Sequence, residues 1–518
     1  MEAKLSNLEE KFTALAANVD MFFLLIMGVL IYFMQCGFAF LECGAVRSKN
    51  STNILIKNVM DSLVGCLAFW LVGYGLAFGE GGPMIGKTGW ALHKVPDTMY
   101  AHWFFQFVFA STASTIVSGA MAERCNFDAY LIYSVAITGF IYPVVSHWAW
   151  TSEGWLSRGI EACCECLPLA STNGSQVCNA SFTVSYQDFA GSGVVHLLGG
   201  TAAFVGASLL GARKGRFEGD GIRGHSVPLA ALGGFILFLG FFAFNGGSQG
   251  QISASGDGVA VALSMVNTTI SGSLAALTCL IATLIKRLVT KGQEQWSLLV
   301  TINGCLTGMV AICAGCNVVH PWGAAVIGVV AGFGYKLGSY VVRQMKVDDP
   351  LDAVAVHGGG GLWGLIAVPL FKDDGLFLNC RKKALYELGW NLAGAAATMG
   401  WSAVLALVLF ASLKYIGLLR VSPEIEEKGM DIPKHGEPAY PLPSYGDGWE
   451  TQDAIDINML RDFISHNRDP NFDFTANGIV HSPREMTSKK HEGTELDLNA
   501  NQISENCEDH QGAESTKI

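Results

Sequence analysis

Long apolar runs alternate with short polar gaps along this chain. A helix rising 1.5 Å per residue needs about 18 to 25 apolar residues to cross a bilayer. Eleven stretches meet that length: Met21–Cys43, Ile54–Gly79, His102–Ala122, Ala129–Trp150, Asp188–Gly211, Val227–Asn245, Val259–Ile285, Leu298–Cys316, Trp322–Val342, Ala353–Phe371 and Leu388–Leu418. The pattern predicts an all-α polytopic membrane protein with eleven transmembrane helices. Residues 1–20 are amphipathic with an early Glu and lack the positive start of a secretory signal, so the first span is expected to be retained.

The gaps carry an orientation signal, because Lys and Arg concentrate in cytoplasmic loops. Arg47, Lys49 and Lys57 follow span one, Arg124 follows span three, and Arg213, Lys214, Arg216 and Arg223 follow span five. Lys286, Arg287 and Lys291 follow span seven, and Arg343 and Lys346 follow span nine. The N-terminus is therefore expected outside and the C-terminus inside. Lys372, Arg381, Lys382 and Lys383, between spans ten and eleven, disagree. The sequons at Asn173 and Asn179, usable only on the luminal face, agree with the majority, as glycosylation sites. Those at Asn50 and Asn267 fall in a cytoplasmic gap and a span and read as accidental. Cys163, Cys164, Cys166 and Cys178 share the outer loop, where disulfides persist; a bridge is expected, its pairing is open, and zinc is the weaker reading without a nearby His. The sequons and cysteines together suggest a eukaryotic plasma membrane.

Composition agrees with the spans: 50% of residues are hydrophobic, 15% are charged, and 61 are Gly, a residue that lets membrane helices approach closely. The net charge of −11 is mostly a tail property, since residues 441–518 hold 15 Asp/Glu against 6 Lys/Arg. No basic cluster with interleaved aromatics supports nucleic-acid binding, and residues 444–518 are too polar to fold alone.

Two spans carry chemistry. Span five begins with Asp188 and places His196 two turns deeper; span ten has Asp352 at its start and then His357. If spans one to five and six to ten are two halves, these positions are equivalent. Because five is odd, the halves are inverted, a transporter architecture with a shared midplane site, and span eleven is an addition. An ionisable group in a bilayer costs about 2.5–3.5 kcal/mol on insertion scales and so faces a partner or a cavity. The competing readings are two neutral core histidines and haem ligation by His on facing helices, the latter weakened because only two histidines are well placed. Asp188 and Asp352 each also read as helix-capping carboxylates.

The segment "DFAGSGVVH" resembles the signature of the Amt/Rh/methylammonium permease group, the ammonium transporters, on the Amt side. "GAMAERCNF", "FNGGS", "DDPLDAVAVHGGGGLWG" and "GMDIPKHGEPAY" support the likeness, which runs from about Met21 to Tyr440. The resemblance implies a non-enzymatic transporter without cofactor or metal, with ammonium and methylammonium as substrates and a homotrimer with one pore per subunit. It makes His196 and His357 the pore's twin histidines. Trp150 and Ser248, with Asp188 below them, become the outer cation-recruitment site, and Phe109 and Phe244 the gate. Asp352 becomes a structural carboxylate at the span-ten entrance. Trp148 competes with Trp150 for the indole, and either Trp also reads as an interfacial belt residue. Phe241 stands where bacterial members commonly carry Trp. The domains are then an outer segment 1–20, a transporter domain 21–418, a segment 419–443 that contacts the neighbouring subunit, and an acidic tail 444–518. Members often carry a phosphorylated Thr where Pro433 stands, and proline removes that switch. The alternatives are an Rh-like electroneutral channel for ammonia or carbon dioxide, an ammonium sensor signalling through its tail, and a membrane redox protein.

Overall fold

A computed structural model describes residues 1–445 apart from 164–165, 169–175, 179–180, 219–220, 293–294 and 380–381. The sequons Asn173 and Asn179, Cys164, Arg381 and the tail beyond 445 lie outside the described residues.

Among the described residues, ten helices are long and apolar enough to cross a membrane: Glu2–Ala45, Ser48–Phe78, Asp97–Met121, Phe127–Arg158, Ser192–Leu210, Val227–Gly247, Asp257–Thr290, Pro321–Gln344, Val354–Phe371 and Lys382–Tyr415, together with the shorter apolar helix Leu298–Ile312 in the eighth position. The chain is an all-helical polytopic membrane protein. Span eight helixes for 15 residues only, because Cys313 and the residues after it turn inward and hold the start of span five. Their carbonyls accept from that loop: Ala190 N donates to Cys313 O at 3.0 Å and Phe189 N to Ala314 O at 3.1 Å.

The first helix begins at Glu2, so residues 1–20 are helical and run on into span one, with a break at Phe33. Asp20 ties this extension to the loop after span six, accepting from Ile252 N at 2.8 Å and Ser253 N at 2.9 Å.

Spans one and six, the first of each half, pack at backbone contact. A Cβ on Gly44 would lie 2.3 Å from Ala230 N, and one on Gly233 would lie 2.1 Å from Leu41 N. Only glycine fits at such an approach. Large apolar side chains such as Phe22, Leu25, Phe235 and Leu239 point outward, as a lipid-facing surface requires. In the loop after span four, strand Ile160–Cys163 pairs antiparallel with Ser181–Val184, and Cys166–Pro168 with Gln176–Cys178, placing Cys166 opposite Cys178 in register.

Asn50 and Asn267 are buried and bonded: Asn50 Oδ1 accepts from Met430 N at 3.0 Å, and Asn267 Nδ2 donates to Cys316 O at 2.8 Å. Neither sequon is accessible. Of the discordant basic residues, Lys372 and Lys383 join a local ion network, with Lys372 Nζ 2.8 Å from Glu387 and 3.0 Å from Asp374, and Lys383 Nζ 3.2 Å from Asp374.

Candidate functional site: the five–ten crossing

The crossing of spans five and ten is set by glycine. A Cβ on Gly200 would sit 2.2 Å from Gly358 N, so the two backbones touch. Both spans open with a wider π-helical turn, Ser192–Leu197 and Val354–Gly359, and each turn carries its histidine. Such turns re-aim side chains and recur at functional sites. Here they bring His196 Nδ1 to 3.2 Å from His357 Nδ1, with the rings 5.2 Å apart and 14° from parallel. A contact between two ring nitrogens holds one proton: one imidazole donates and the other accepts. His196 Nε2 is buried without a hydrogen-bond partner among the described residues.

Apolar rings cover one side of the pair. Phe244 lies 5.4 Å from His196, and Phe109 lies 4.2 Å from Phe244 at 33°, both fully buried. Phe241, the departure noted in the sequence, stacks on His196 at 5.6 Å and 17°, so it lines the histidine pair directly.

Beyond the phenylalanines is a cavity of about 260 Å³ lined by His102, Phe105, Gln106, Phe109, Trp150 and Ser248, among others. Trp150 meets Phe109 edge-on at 5.7 Å, and its Nε1 donates to the Asp188 carbonyl at 2.7 Å. Ser248 Oγ donates to Phe244 O at 2.7 Å, which leaves its lone pairs free to accept. Trp148 is elsewhere, donating to Met84 O and packing on Trp155 and Trp401. Trp150, and not Trp148, therefore faces this cavity. Phe105, His102 and Gln106 were missed in the sequence reading. With Phe109 they follow i, i+3, i+4, i+7 spacing, the signal of one helix face. A larger cavity of about 620 Å³ lies across the Trp150–Phe189 wall, lined in part by Asp188, His320 and Asp373.

The sequence profile of the Ammonium Transporter Family matches residues 22–440. The chain belongs to that family. A putative ammonium transporter 1 of Caenorhabditis elegans is 45% identical over 472 residues, covering 87% of this chain and 83% of that protein. Ammonium transporter Amt2 of Archaeoglobus fulgidus is 38% identical over 82% of this chain and 88% of its own length. Among solved structures, a protein described as a sensor Amt protein is 31% identical, with a TM-score of 0.70, covering 82% of this chain and all of its own. The Mep2 structure of Saccharomyces cerevisiae, at 24% identity and a TM-score of 0.65 over 78% of this chain and 88% of its own, shows the same fold. As a member of a transporter family, the chain is a transport protein and not an enzyme.

Within this family member the two carboxylates of spans five and ten behave differently from the symmetric expectation. Asp188, 5% exposed, caps span five: its Oδ2 accepts from Gly193 N and Val194 N, both at 2.9 Å. Asp352 does not cap span ten. Its carboxylate accepts from Tyr335 Oη and Ser339 Oγ, both at 2.9 Å, which hold its backbone at φ +57°. The cap is Asp349, whose Oδ2 accepts from Val354 N at 2.8 Å. Asp349 stands eight residues before His357 as Asp188 does before His196. Burial, and then the neighbouring Asp352 carboxylate, push Asp349 up to about 7.

Asp349 borders a buried charge cluster that joins the basic loops. Asp348 pairs with Arg213 at 2.7 Å and Arg216 at 2.9 Å; Glu123 pairs with Arg213 at 3.2 Å and Arg47 at 2.5 Å. Arg124, fully buried, donates to the carbonyls of Asp348 and Gly211 at 2.6 and 3.0 Å. Burial works against the Asp348 charge, yet Arg213 and Arg124 hold its carboxyl well below the usual range. The post-span segment docks on this end of its own chain. Asp431 Oδ1 accepts from Asn53 N at 2.9 Å, Tyr440 Oη meets His225 Nε2 at 2.9 Å, and Glu426 Oε1 accepts from Lys214 N at 2.7 Å.

Proposed function

We propose that this protein carries ammonium and methylammonium inward across the plasma membrane, recruiting the cation at the outer cavity and passing it as ammonia along the histidine pair. The observation that supports this most is the 3.2 Å contact between His196 and His357 behind the closed Phe109–Phe244 pair. An unpaired cation moved into such a low-dielectric passage loses several kcal/mol of hydration. Splitting it into neutral ammonia and a proton held on imidazole avoids that penalty, since imidazole changes charge near neutral pH.

In this reading the Trp150 face attracts the incoming cation by about 0.5–2 kcal/mol, and Ser248 accepts one of its hydrogen bonds. Asp188 lowers the cation's energy from below while keeping the span-five N–H groups bonded. The phenylalanine pair excludes hydrated Na⁺, and the proton crosses through the shared nitrogen contact. The N-terminus lies outside, the basic charge cluster and the tail lie in the cytoplasm, and Asn173 and Asn179 are glycosylated. Three subunits assemble, each with its own pore, and the 419–443 segment reaches the neighbour as well as its own loops. Pro433 leaves that segment without a phosphorylatable hydroxyl at its usual position.

Currents in oocytes expressing the full chain test the reading. Ammonium and methylammonium should each drive an inward current, while K⁺ and Na⁺ drive none. Uptake of ammonium with no net charge movement would move the protein to the electroneutral reading.

A further inference from the structure

Spans one to four enclose a second intramembrane polar site that the histidine pair does not use. Asp61, on span two, is fully buried. Its Oδ1 accepts from Ser114 Oγ at 2.8 Å and from Ser134 Oγ, and its Oδ2 lies 2.5 Å from Thr115 Oγ1. Thr115 Oγ1 also lies 3.0 Å from both Gln35 Oε1 and the Ser111 carbonyl. One hydroxyl proton therefore faces three oxygen acceptors, and at most one of them receives it. The Gln35 amide is oriented by its Nε2, which donates to Ser111 Oγ at 2.9 Å, so its oxygen is the atom turned toward Thr115.

The charges around Asp61 do not close the balance either. Span one contributes Glu42, itself buried and accepting from Asn58 and Ser118 at 2.9 Å each. Span two contributes Lys57, which donates to Cys125 O at 2.8 Å and lies 5.4 Å from the Tyr130 ring centre. Span four contributes the Tyr130 and Tyr133 hydroxyls, both buried without a hydrogen-bond partner among the described residues, and span three contributes hydroxyls only. Lys57 offsets one carboxylate and leaves one unbalanced, in a setting where an unpaired charge is costly.

A proton on Asp61 removes the excess charge and supplies the hydrogen for the Asp61–Thr115 contact, which a cation of Na⁺ or Ca²⁺ size does not. Oxygens that share a cation at about 2.4 Å stand roughly 3.4 Å apart around it, whereas these oxygens already touch at hydrogen-bond distance. With a proton on Asp61 Oδ2, the acid donates to Thr115 Oγ1, Thr115 donates onward to the Ser111 carbonyl or Gln35 Oε1, and Ser114 and Ser134 donate to Oδ1. The acid hydrogen and those of Ser114, Ser134 and Thr115 then each have one acceptor.

We propose that Asp61 is a proton-binding site within the membrane, separate from the twin histidines, whose neutral acid ties spans two and four to span three five and six residues beyond Phe109. It holds whatever the pore conducts. Infrared spectra of the full-length protein in lipid nanodiscs at neutral pH, labelled with ¹³C in the aspartate carboxyl, test it. An isotope-shifted carboxylic-acid band should be present, should be lost in Asp61→Asn, and should move in Thr115→Val, which keeps the acid and removes its acceptor. The Asp61→Asn protein should melt near the wild type, since the amide reproduces the neutral donor and acceptor, while Asp61→Ala should melt lower. An acid band unchanged in both Asp61→Asn and Thr115→Val, or one that appears only when Na⁺ is replaced by choline, would overturn the proposal. If Asp61→Asn does not assemble, the Thr115→Val shift decides alone.

Discussion

Spans five and ten share a local device and differ in what surrounds it. In each, a carboxylate eight residues before the histidine caps a π-helical turn, and Gly200 against Gly358 lets the turns meet. Asp188 then lines the larger cavity beside Trp150, whereas Asp349 is sealed behind Asp352 and the arginines that clamp Asp348. The same cap therefore borders a cavity in one half and an ion network in the other. The difference teaches that internal symmetry fixes the histidines' geometry, and the surroundings of each cap decide what its charge does.

The largest effect is expected from unlocking the second surrounding. Asp348→Ala leaves Arg216 without its carboxylate and Arg213 with Glu123 alone, and breaking a buried pair in this way costs about 3–5 kcal/mol, read as a fall in thermal stability. The wild-type contribution has a defined pH sense. Because the folded Asp348 carboxyl is held below its unfolded value, its stabilisation is present above the ordinary carboxylate range and is lost as pH falls through the folded value. Asp348→Ala should flatten that acid-side loss.

Next comes the charge at the caps. Asn keeps one oxygen for the backbone N–H groups, so Asp188→Asn and Asp349→Asn both preserve the cap and remove only charge. A unit charge felt over ~6 Å at an effective dielectric of ~20 is worth about 3 kcal/mol, or roughly a hundredfold. Methylammonium uptake should fall by that order in Asp188→Asn and stay within a few-fold of wild type in Asp349→Asn. Equal losses would erase the contrast between the halves.

The shared device is probed by glycine. Gly200→Ala drives a methyl into the Gly358 backbone, and overpacking of this kind costs about 1–3 kcal/mol. Gly359→Ala, where no atom lies within 4 Å of the added carbon, should be close to neutral in the same melting assay. The smallest effect is expected at the mouth. Trp150→Leu should raise the half-saturating ammonium concentration by about two- to thirtyfold, the range of a lost cation–π contact, while Trp148→Leu should alter stability and leave that concentration unchanged.

Much of this was legible in the sequence because hydropathy and membrane length are local properties. The spans, His196 and His357 follow from them. What was not legible depended on register and on packing between spans. "DDPLDAVAVH" offers Asp348, Asp349 and Asp352, and choosing Asp352 by its nearness to the helix start ignored the eight-residue spacing set by Asp188 and His196. Its positive φ arises from Tyr335 and Ser339 on span nine, which no local pattern encodes. Glu42 and Asp61 were overlooked, and Lys57, buried within the helix Ser51–Ala68, was counted as a gap cation, for another reason. A search for symmetric pairs passes over them, although the expense of any intramembrane charge points at each.

The double variant His196→Asp with His357→Glu, expressed in oocytes, tests the central claim most directly. It keeps ionisable groups at both positions and removes the nitrogen contact to which the proposed function assigns the separation of proton from ammonia. The account predicts loss of ammonium-selective current, with K⁺ or Na⁺ current appearing in its place or no current at all. Full current that still rejects K⁺ and Na⁺ would contradict it.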